Sequence, residues 1–248
     1  MPDPNRPQTL TLTLTLHAAD GHALSAYRAA PRGTPRGGLV VLHEIFGVNA
    51  HIREICDGYA ERGFLVIAPA LFDRVQPGAA LGYDEASVAQ GRALRAAIAV
   101  ETTLLDVQAA IDAAGQGGAT AVLGYCWGDT LAFLSATRLV GVCCAVAYYG
   151  AQTLPFAHEP IRVPVLMHFG SQDPRIPPAD IATIRAHNPA IEIHNFPADH
   201  GFNCDHRKEW HAPSAARALA LTLAFFDRHL GVTSPVPDVP GAGPTKAP

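Results

Sequence analysis

Hydrophobic residues along the chain fall into short uninterrupted runs, separated by longer stretches with helical spacing of apolar positions. Runs such as Gly38–Leu42 and Phe64–Ala68 have the length of strands and lack polar alternation. Continuous apolar strands of this kind are typical of a parallel sheet covered by helices on both faces. An early run, Thr9 to His17, alternates Thr and Leu instead, as an antiparallel strand with one exposed face does.

The rest of the pattern alternates strands with helices. Further strands are predicted at Ala119–Leu123, Val142–Tyr148, Val163–Phe169 and Ile191–Phe196, and helices at Asn49–Arg62, Glu85–Ala114, Thr130–Arg138, Pro178–His187 and Pro213–His229. This order predicts an α/β fold with a mostly parallel, doubly wound sheet and helices on both faces, in a single domain over residues 1–230. The Pro- and Gly-rich segment 231–248 has few apolar residues, and we expect a disordered or surface-hugging tail there.

Composition narrows the classes of function. The 248 residues are 48% hydrophobic, enough for a large core, and the formal net charge of −4 argues against nucleic acid as a partner. The amino terminus has no apolar signal core, and no run is long enough to span a membrane, which predicts a cytoplasmic protein. Five cysteines form neither a paired framework nor a zinc spacing, so we expect no metal and no cofactor. The oligomeric state does not follow from the sequence.

The segment Gly124-Tyr125-Cys126-Trp127-Gly128 stands between a predicted strand and a predicted helix. That context is typical of a nucleophile elbow, in which a tight turn needs flanking glycines and holds the nucleophile at the tip of the strand. The positive end of the following helix would favour a thiolate and an oxyanion. The other interpretation is a buried thiol in a glycine-rich turn.

Two later segments supply partners for a nucleophile in the chain order of an α/β-hydrolase, which is nucleophile, acid and then histidine. Asp173 follows a strand-like run and lies in a Gly/Pro turn, where it can orient a histidine. His200 lies in a loop after another strand, before the last helix. Each residue alone could be structural, but their joint order predicts a triad of Cys126, Asp173 and His200.

The sequence resembles the dienelactone hydrolase family from about Asp20 to about His229. The segments that carry the resemblance are Glu44-Ile45-Phe46-Gly47-Val48-Asn49, Arg53-Glu54, Pro69-Ala70-Leu71-Phe72, Gln76-Pro77-Gly78, Gly124-Tyr125-Cys126, Leu131-Ala132-Phe133, Tyr148-Tyr149-Gly150, Gly170-Ser171-Gln172-Asp173 and His200-Gly201-Phe202. The resemblance implies an α/β-hydrolase, similar to carboxymethylenebutenolidase, that opens a small-molecule lactone or ester with a Cys–His–Asp triad. It also implies that Glu44 is a fourth functional residue, and that the backbone N–H groups of Ile45 and Trp127 form an oxyanion hole.

The resemblance gives Glu44 a specific role. In the family, the matching carboxylate is thought to take the thiol proton when substrate arrives, which keeps the resting sulfur protonated. The alternative is a carboxylate that only stabilises the amino terminus of the helix starting near Asn49. The preceding residue, His43, points the opposite way along the strand, and we interpret it as structural.

The sequence departs from the family pattern at the substrate-binding positions and after the elbow. Asp129 stands where a small residue is expected, and we expect its carboxylate to face solvent or pair with a cation. Members of the family bind the substrate carboxylate with two arginines, one of them a few residues after the active histidine. Here that position falls within Gly201–His206, which contains no arginine, and the nearest arginine is Arg207. Arg92 and Arg95 are candidates for the other arginine. Whether the substrate is acidic therefore stays open.

Aromatic residues near the motifs are further candidates for substrate contact. Tyr83, Tyr125 and Phe202 could line a pocket beside Trp127, although aromatic side chains more often belong to the core.

Three functions are compatible with these residues. The first is a lactone or ester hydrolase with the roles given above, and the second is a broad carboxylesterase or thioesterase. The third is a catalytically silent member of the fold that serves as a binding protein or a thiol redox sensor. An intact triad favours the catalytic functions.

Overall fold

The computed structural model describes residues 9–231, which form one eight-stranded sheet with helices packed on it. The predicted tail lies outside these residues, apart from Gly231. The strands are β1 Leu10–His17, β2 Ala23–Ala30, β3 Gly37–Leu42, β4 Phe64–Pro69, β5 Thr120–Tyr125, β6 Val142–Tyr148, β7 Val165–Gly170 and β8 Glu192–Phe196. The helices are α1 Ala50–Glu61, α2 Glu85–Ala96, α3 Val100–Ala114, α4 Trp127–Arg138, α5 Pro178–His187 and α6 Ala212–His229.

The sheet has the strand order β1-β2-β4-β3-β5-β6-β7-β8. β1 and β2 are antiparallel to their neighbours, whereas β3 to β8 pair in parallel. Every residue of β3, β4, β5 and β7 is buried, as the continuous apolar runs predicted. The predicted α/β-hydrolase fold with a mostly parallel sheet is confirmed.

Two elements differ from the sequence prediction. The helix expected over Glu85–Ala114 is two helices, because the chain turns between Ala96 and Val100 although no proline or glycine marks the break. β2 has no matching prediction, since Ser25, Tyr27 and Arg28 interrupt its apolar pattern. It forms nonetheless because it pairs with β1 on one side and β4 on the other. Within residues 9–231, the helices are too short or too polar to cross a membrane.

The helix that follows the predicted nucleophile is buried along nearly its whole length. All residues of α4 from Trp127 to Thr137 are buried, because the helix packs against β5 and β6. Few polar side chains can be accommodated in such a helix without a hydrogen-bond partner.

The expectation that Asp129 faces solvent or pairs with a cation is wrong. The side chain is fully buried and accepts a hydrogen bond of 2.9 Å from the Thr153 hydroxyl. The Gly150 N–H also bonds the carboxylate, which packs so closely on Gly150 that a Cβ there would overlap it. The small size of Gly150 thus makes room for an acid in α4, and the acid holds the loop that follows β6.

Burial raises the pKa of Asp129 to about 7, against the opposing effect of its hydrogen bonds from Thr153 and Gly150. The folded protein therefore keeps this proton up to about pH 7, whereas the unfolded chain releases it near the ordinary value of 3.8. Because the folded state binds more protons in this interval, stability contributed by Asp129 falls as pH rises from about 4 to about 7 and then levels off.

We expect Asp129→Asn to remove this pH dependence, because the amide keeps the shape of the side chain and does not ionise. Relative to wild type, the variant should gain roughly 2–3 kcal/mol in free energy of unfolding between about pH 5 and about pH 8. Urea denaturation at the two pH values measures this difference. Asp112→Asn, which changes an exposed helical carboxylate, is the control. Parallel pH curves for wild type and Asp129→Asn would contradict the prediction.

Candidate active site

Cys126 lies in the sharp turn between β5 and α4, at the carboxyl edge of the sheet. Its backbone has φ 54° and ψ −108°, a conformation that a residue with a side chain rarely adopts. Such strain costs on the order of 1–3 kcal/mol and persists only where surrounding structure enforces it. The Cys126 N–H donates to the Tyr148 carbonyl (2.9 Å), and its carbonyl accepts from the Asp129 N–H (3.2 Å). The turn is therefore held by both β6 and α4.

Glycine at position 124 is required by the close approach of the helix to the strand. A Cβ on Gly124 would lie 1.8 Å from the Gly128 carbonyl oxygen, which is backbone and cannot move aside. The two glycines thus let α4 start directly beside the end of β5, in the geometry that the elbow motif predicted.

Asp173, His200 and Cys126 form a continuous chain of contacts. His200 Nε2 lies 3.2 Å from Cys126 Sγ, and His200 Nδ1 lies 2.7 Å from Asp173 Oδ2. Asp173 follows β7 and His200 follows β8, which are neighbouring parallel strands. Both residues therefore lie at the carboxyl edge of the sheet, where Cys126 follows β5. Asp173 and His200 are 6% and 3% exposed, and Cys126 is half-buried. The sulfur is thus the accessible member of the set.

The environment of His200 favours its charged form. Burial alone would lower the pKa of the imidazole, but the Cys126 sulfur and the Asp173 carboxylate outweigh it and raise the pKa to about 10. The Asp173 carboxylate also accepts the Arg175 N–H (2.8 Å) at its other oxygen, which fixes its orientation. The charged His200 ring is thus in contact with the Asp173 carboxylate on one side and the Cys126 sulfur on the other.

The two backbone N–H groups expected to bind an oxyanion come from separate segments of the chain. Trp127 is the first residue of α4, and Ile45 belongs to the loop after β3. Among residues 9–231, neither N–H donates to a backbone carbonyl, and both residues line the cavity that contains Cys126. They are therefore available to an acceptor in the cavity.

Glu44 is buried beside this cavity at 1% exposure, and its carboxylate pairs with Arg207 at 3.3 Å. The amino terminus of α1 has a side-chain cap of its own. That helix begins at Ala50 and is capped by Asn49, whose side chain accepts the Ile52 N–H at 3.2 Å. The direct partner of the Glu44 carboxylate is thus Arg207.

His43 is fully buried and has two backbone partners. Its Nδ1–H donates to the Glu44 carbonyl at 2.5 Å, and its Nε2 accepts the Leu71 N–H at 3.3 Å. Burial lowers the pKa of His43 to about 4, so the ring is neutral. These contacts fit the structural role expected for His43.

A cavity of about 380 Å³ opens over Cys126 and His200. Its lining carries four arginines and no carboxylate among the described residues. The lining residues are Ile45, Phe46, Val88, Arg92, Arg95, Cys126, Trp127, Ala151, Gln152, Arg175, His200 and Arg207. A lining whose charged side chains are all positive favours an anionic ligand.

Arg92 and Arg95 reach the cavity because α2 lies directly on the loop after β3. Gly91 faces that loop, and a Cβ there would lie 2.0 Å from the Ile45 carbonyl oxygen. The absence of a side chain at Gly91 therefore sets the distance at which the two arginines face Cys126.

The aromatic candidates lie behind the cavity. Tyr83 packs against Arg207, whose guanidinium carbon is 5.8 Å from the ring centroid, and its hydroxyl accepts the Asn49 side-chain N–H at 3.1 Å. Tyr125 and Phe202 are buried in the core, where Tyr125 packs against Tyr148. Tyr83, Tyr125 and Phe202 are not among the described residues that line the cavity.

Two cavity arginines were not among the predicted site residues. Arg207 is seven positions after His200, and only the turn after β8 carries it back over the site. Arg175 is two positions after Asp173, and this proximity in sequence is a signal that could have identified it.

The chain matches the model of the dienelactone hydrolase family over residues 24–230. It is 33% identical over 229 residues to the carboxymethylenebutenolidase of Pseudomonas putida, covering 88% of this chain and 96% of the relative. It is 34% identical over 241 residues to a Yersinia pestis protein assigned as a carboxymethylenebutenolidase, with 89% of each chain covered.

Among solved structures, a Klebsiella pneumoniae protein assigned to the dienelactone hydrolases superposes with a TM-score of 0.78 at 27% identity, covering 88% of this chain and 99% of that one. The Pyrococcus furiosus esterase Pf2001 has a TM-score of 0.68 at 13% identity, covering 92% and 96%, which shows a shared fold alone. The extent of the family match and the identity to the curated relatives show that this chain belongs to the dienelactone hydrolase family of hydrolases.

Proposed function

We propose that the protein hydrolyses a lactone or ester bond through nucleophilic attack by Cys126. The observation that carries the proposal is the contact chain from Asp173 through His200 to the Cys126 sulfur, at 2.7 and 3.2 Å, on a strained turn facing a cavity. These are the relations that a nucleophile, its base and the residue orienting the base require.

In the proposed reaction, the Cys126 thiolate forms a bond to the substrate carbonyl carbon, and the carbonyl oxygen gains the negative charge. The N–H groups of Ile45 and Trp127, with the positive end of α4, stabilise that oxyanion. Collapse breaks the bond to the ring or ester oxygen, which takes the proton from His200. His200 then accepts a proton from water as the water oxygen attacks the thioester carbon. The C–S bond breaks, which releases the carboxylic acid and restores the Cys126 sulfur.

We expect Cys126→Ala to reduce hydrolysis of p-nitrophenyl acetate and of an unsaturated lactone by roughly 10³-fold or more, because no other group replaces the sulfur. His200→Ala should lose nearly as much activity, and Asp173→Asn should slow turnover by leaving the ring in the wrong tautomer.

Initial rates of the purified variants test these expectations, with unchanged melting temperatures showing that the variants are folded. The control is Cys143→Ala, a half-buried strand thiol. Wild-type turnover by Cys126→Ala would remove the proposal.

Glu44 is proposed as the fourth functional residue, as the family resemblance implies. In the ground state its partner is Arg207, while the partner of the sulfur is His200. An anionic substrate that binds Arg207 would compete with Glu44 for the guanidinium. The released carboxylate could then accept the thiol proton, which would couple activation of the sulfur to the presence of substrate.

We therefore expect Glu44→Gln to lower kcat by roughly 10²-fold, because the amide cannot accept a proton. The rate of Cys126 alkylation by iodoacetamide without substrate should change little. Steady-state kinetics and alkylation rates of the same preparation test both statements. Glu54→Gln, an exposed carboxylate on α1, is the matched control. Unchanged kcat in Glu44→Gln would leave His200 as the only base for Cys126.

The cavity charges support a substrate with a carboxylate near the scissile bond. Arg92 and Arg95 approach the cavity from α2, whereas Arg207 approaches from the loop after β8. Arginine binds a carboxylate through two parallel hydrogen bonds, which fixes orientation as well as charge. Arginines on two sides of Cys126 can thus hold such a substrate with its carbonyl over the sulfur.

Replacement of Arg92 or Arg95 by Gln should raise KM about 10-fold or more for a lactone that carries a carboxylate, since a charge-assisted hydrogen bond is lost. KM for the neutral p-nitrophenyl acetate should change less than about 2-fold. Arg185→Gln, on α5 away from the cavity lining, is the control. Equal KM changes for both substrates would favour the alternative of a broad carboxylesterase or thioesterase.

A further inference from the structure

A second cluster of chemically reactive side chains lies behind the active-site cavity. It consists of Glu44 after β3, His51 on α1 and Cys204 in the loop after β8, which are 1%, 1% and 0% exposed. One donor atom from each residue, the carboxylate oxygen, the imidazole nitrogen and the thiol sulfur, lies within 4.8 Å of the other two. Three segments far apart in sequence thus bring their donors together in the protein interior.

The unusual member of this cluster is His51. Although the ring is buried, neither of its nitrogens forms a well-aligned hydrogen bond with any residue between 9 and 231. The Asn203 carbonyl lies near the ring, and the Asp205 carboxylate is 3.9 Å from Nε2. A buried polar group without a partner is costly and needs an explanation, such as an ion that binds there. His51 therefore points independently to a ligand at this cluster.

We propose that Glu44, His51 and Cys204 form a binding site for a divalent cation of intermediate softness, such as Zn²⁺. Imidazole, thiolate and carboxylate are the donors that zinc uses in proteins, and three protein ligands leave a fourth position for water. Ligand atoms around a tetrahedral zinc are roughly 3.3–3.8 Å apart, given bond lengths of about 2.0–2.3 Å. Side-chain movements of about 1 Å would bring the three donors to that spacing.

Charge balance is compatible with such an ion. Binding releases the Cys204 thiol proton to solvent, and the resulting thiolate together with the Glu44 carboxylate neutralises the two positive charges. Arg207 competes with the cation for Glu44, from which its guanidinium is 3.3 Å away. The cation would therefore separate Glu44 from Arg207.

The cluster adjoins an outer group of donors that can guide a cation inward. Glu54, Asp205 and His206 are exposed and also lie within 4.8 Å of one another. The His206 ring is 5.6 Å from the His51 ring, centroid to centroid. Because exposed carboxylates attract cations without forming a specific site, the outer group is the competing explanation for any metal that binds.

The test uses full-length Cys126→Ala protein, so that neither the active-site thiol nor the proposed hydrolysis affects the result. Co²⁺ is the probe, because thiolate coordination gives a charge-transfer absorption that carboxylate and imidazole ligands do not give. We expect one Co²⁺ per chain, with this absorption, and competition by Zn²⁺. Adding Cys204→Ser should abolish the absorption, and adding His51→Phe, which keeps a buried ring, should weaken binding at least 10-fold. Cys144→Ser, another buried thiol, is the matched control and should change neither.

Three results would overturn the proposal. The first is the absence of Co²⁺ binding to folded Cys126→Ala protein, and the second is binding that Cys204→Ser and His51→Phe leave unchanged. The third is loss of binding on Glu54→Gln or His206→Ala with no effect of Cys204→Ser, which would assign the metal to the exposed group. Melting temperatures of all variants show that each measurement is made on folded protein.

Discussion

The backbone of Cys126 is the constraint on which the site depends. A left-handed φ at a residue with a side chain must be enforced from outside, and here β6 and α4 enforce it through hydrogen bonds to both sides of the turn. Because those contacts need the strand and the helix almost touching, position 124 must lack a Cβ. The outcome is a sulfur raised above the carboxyl edge of the sheet, at the start of a helix whose dipole favours negative charge.

The same edge gathers the other groups because parallel strands all end there. β7 and β8 are neighbours, so the loops that follow them bring Asp173 and His200 into hydrogen-bond contact. β3 lies beside β5, so the loop after β3 brings Glu44 and Ile45 toward the cysteine. The strand order thus brings residues from distant parts of the sequence together at one edge of the sheet. This agrees with the rule that open α/β sheets bind ligands at the carboxyl ends of their strands.

The buried ionisable side chains near the sulfur differ in what stabilises their charge. His200 gains enough from Asp173 and Cys126 to favour the imidazolium despite burial, whereas Glu44 has Arg207 as its counter-ion. Asp129 has no cation at contact distance among the described residues, so burial raises its pKa instead. Around the sulfur, some buried ionisable groups therefore have a partner of opposite charge and others do not. Such an arrangement is typical of functional sites.

The sequence by itself determined the features that depend on local pattern. Short apolar runs predicted the parallel strands, and the order of Cys126, Asp173 and His200 with their turn residues predicted the three groups that the structure brings together. Only the tertiary structure decided where charged side chains point, because burial depends on contacts between distant segments. Asp129 is buried by the loop at Gly150, α2 separates from α3 without a sequence signal, and Arg207 is turned back toward Glu44. The proximity of His51 and Cys204 to Glu44 was likewise decided by the tertiary structure. His51 lies on an early helix and Cys204 in a late loop, so no local sequence pattern connects them.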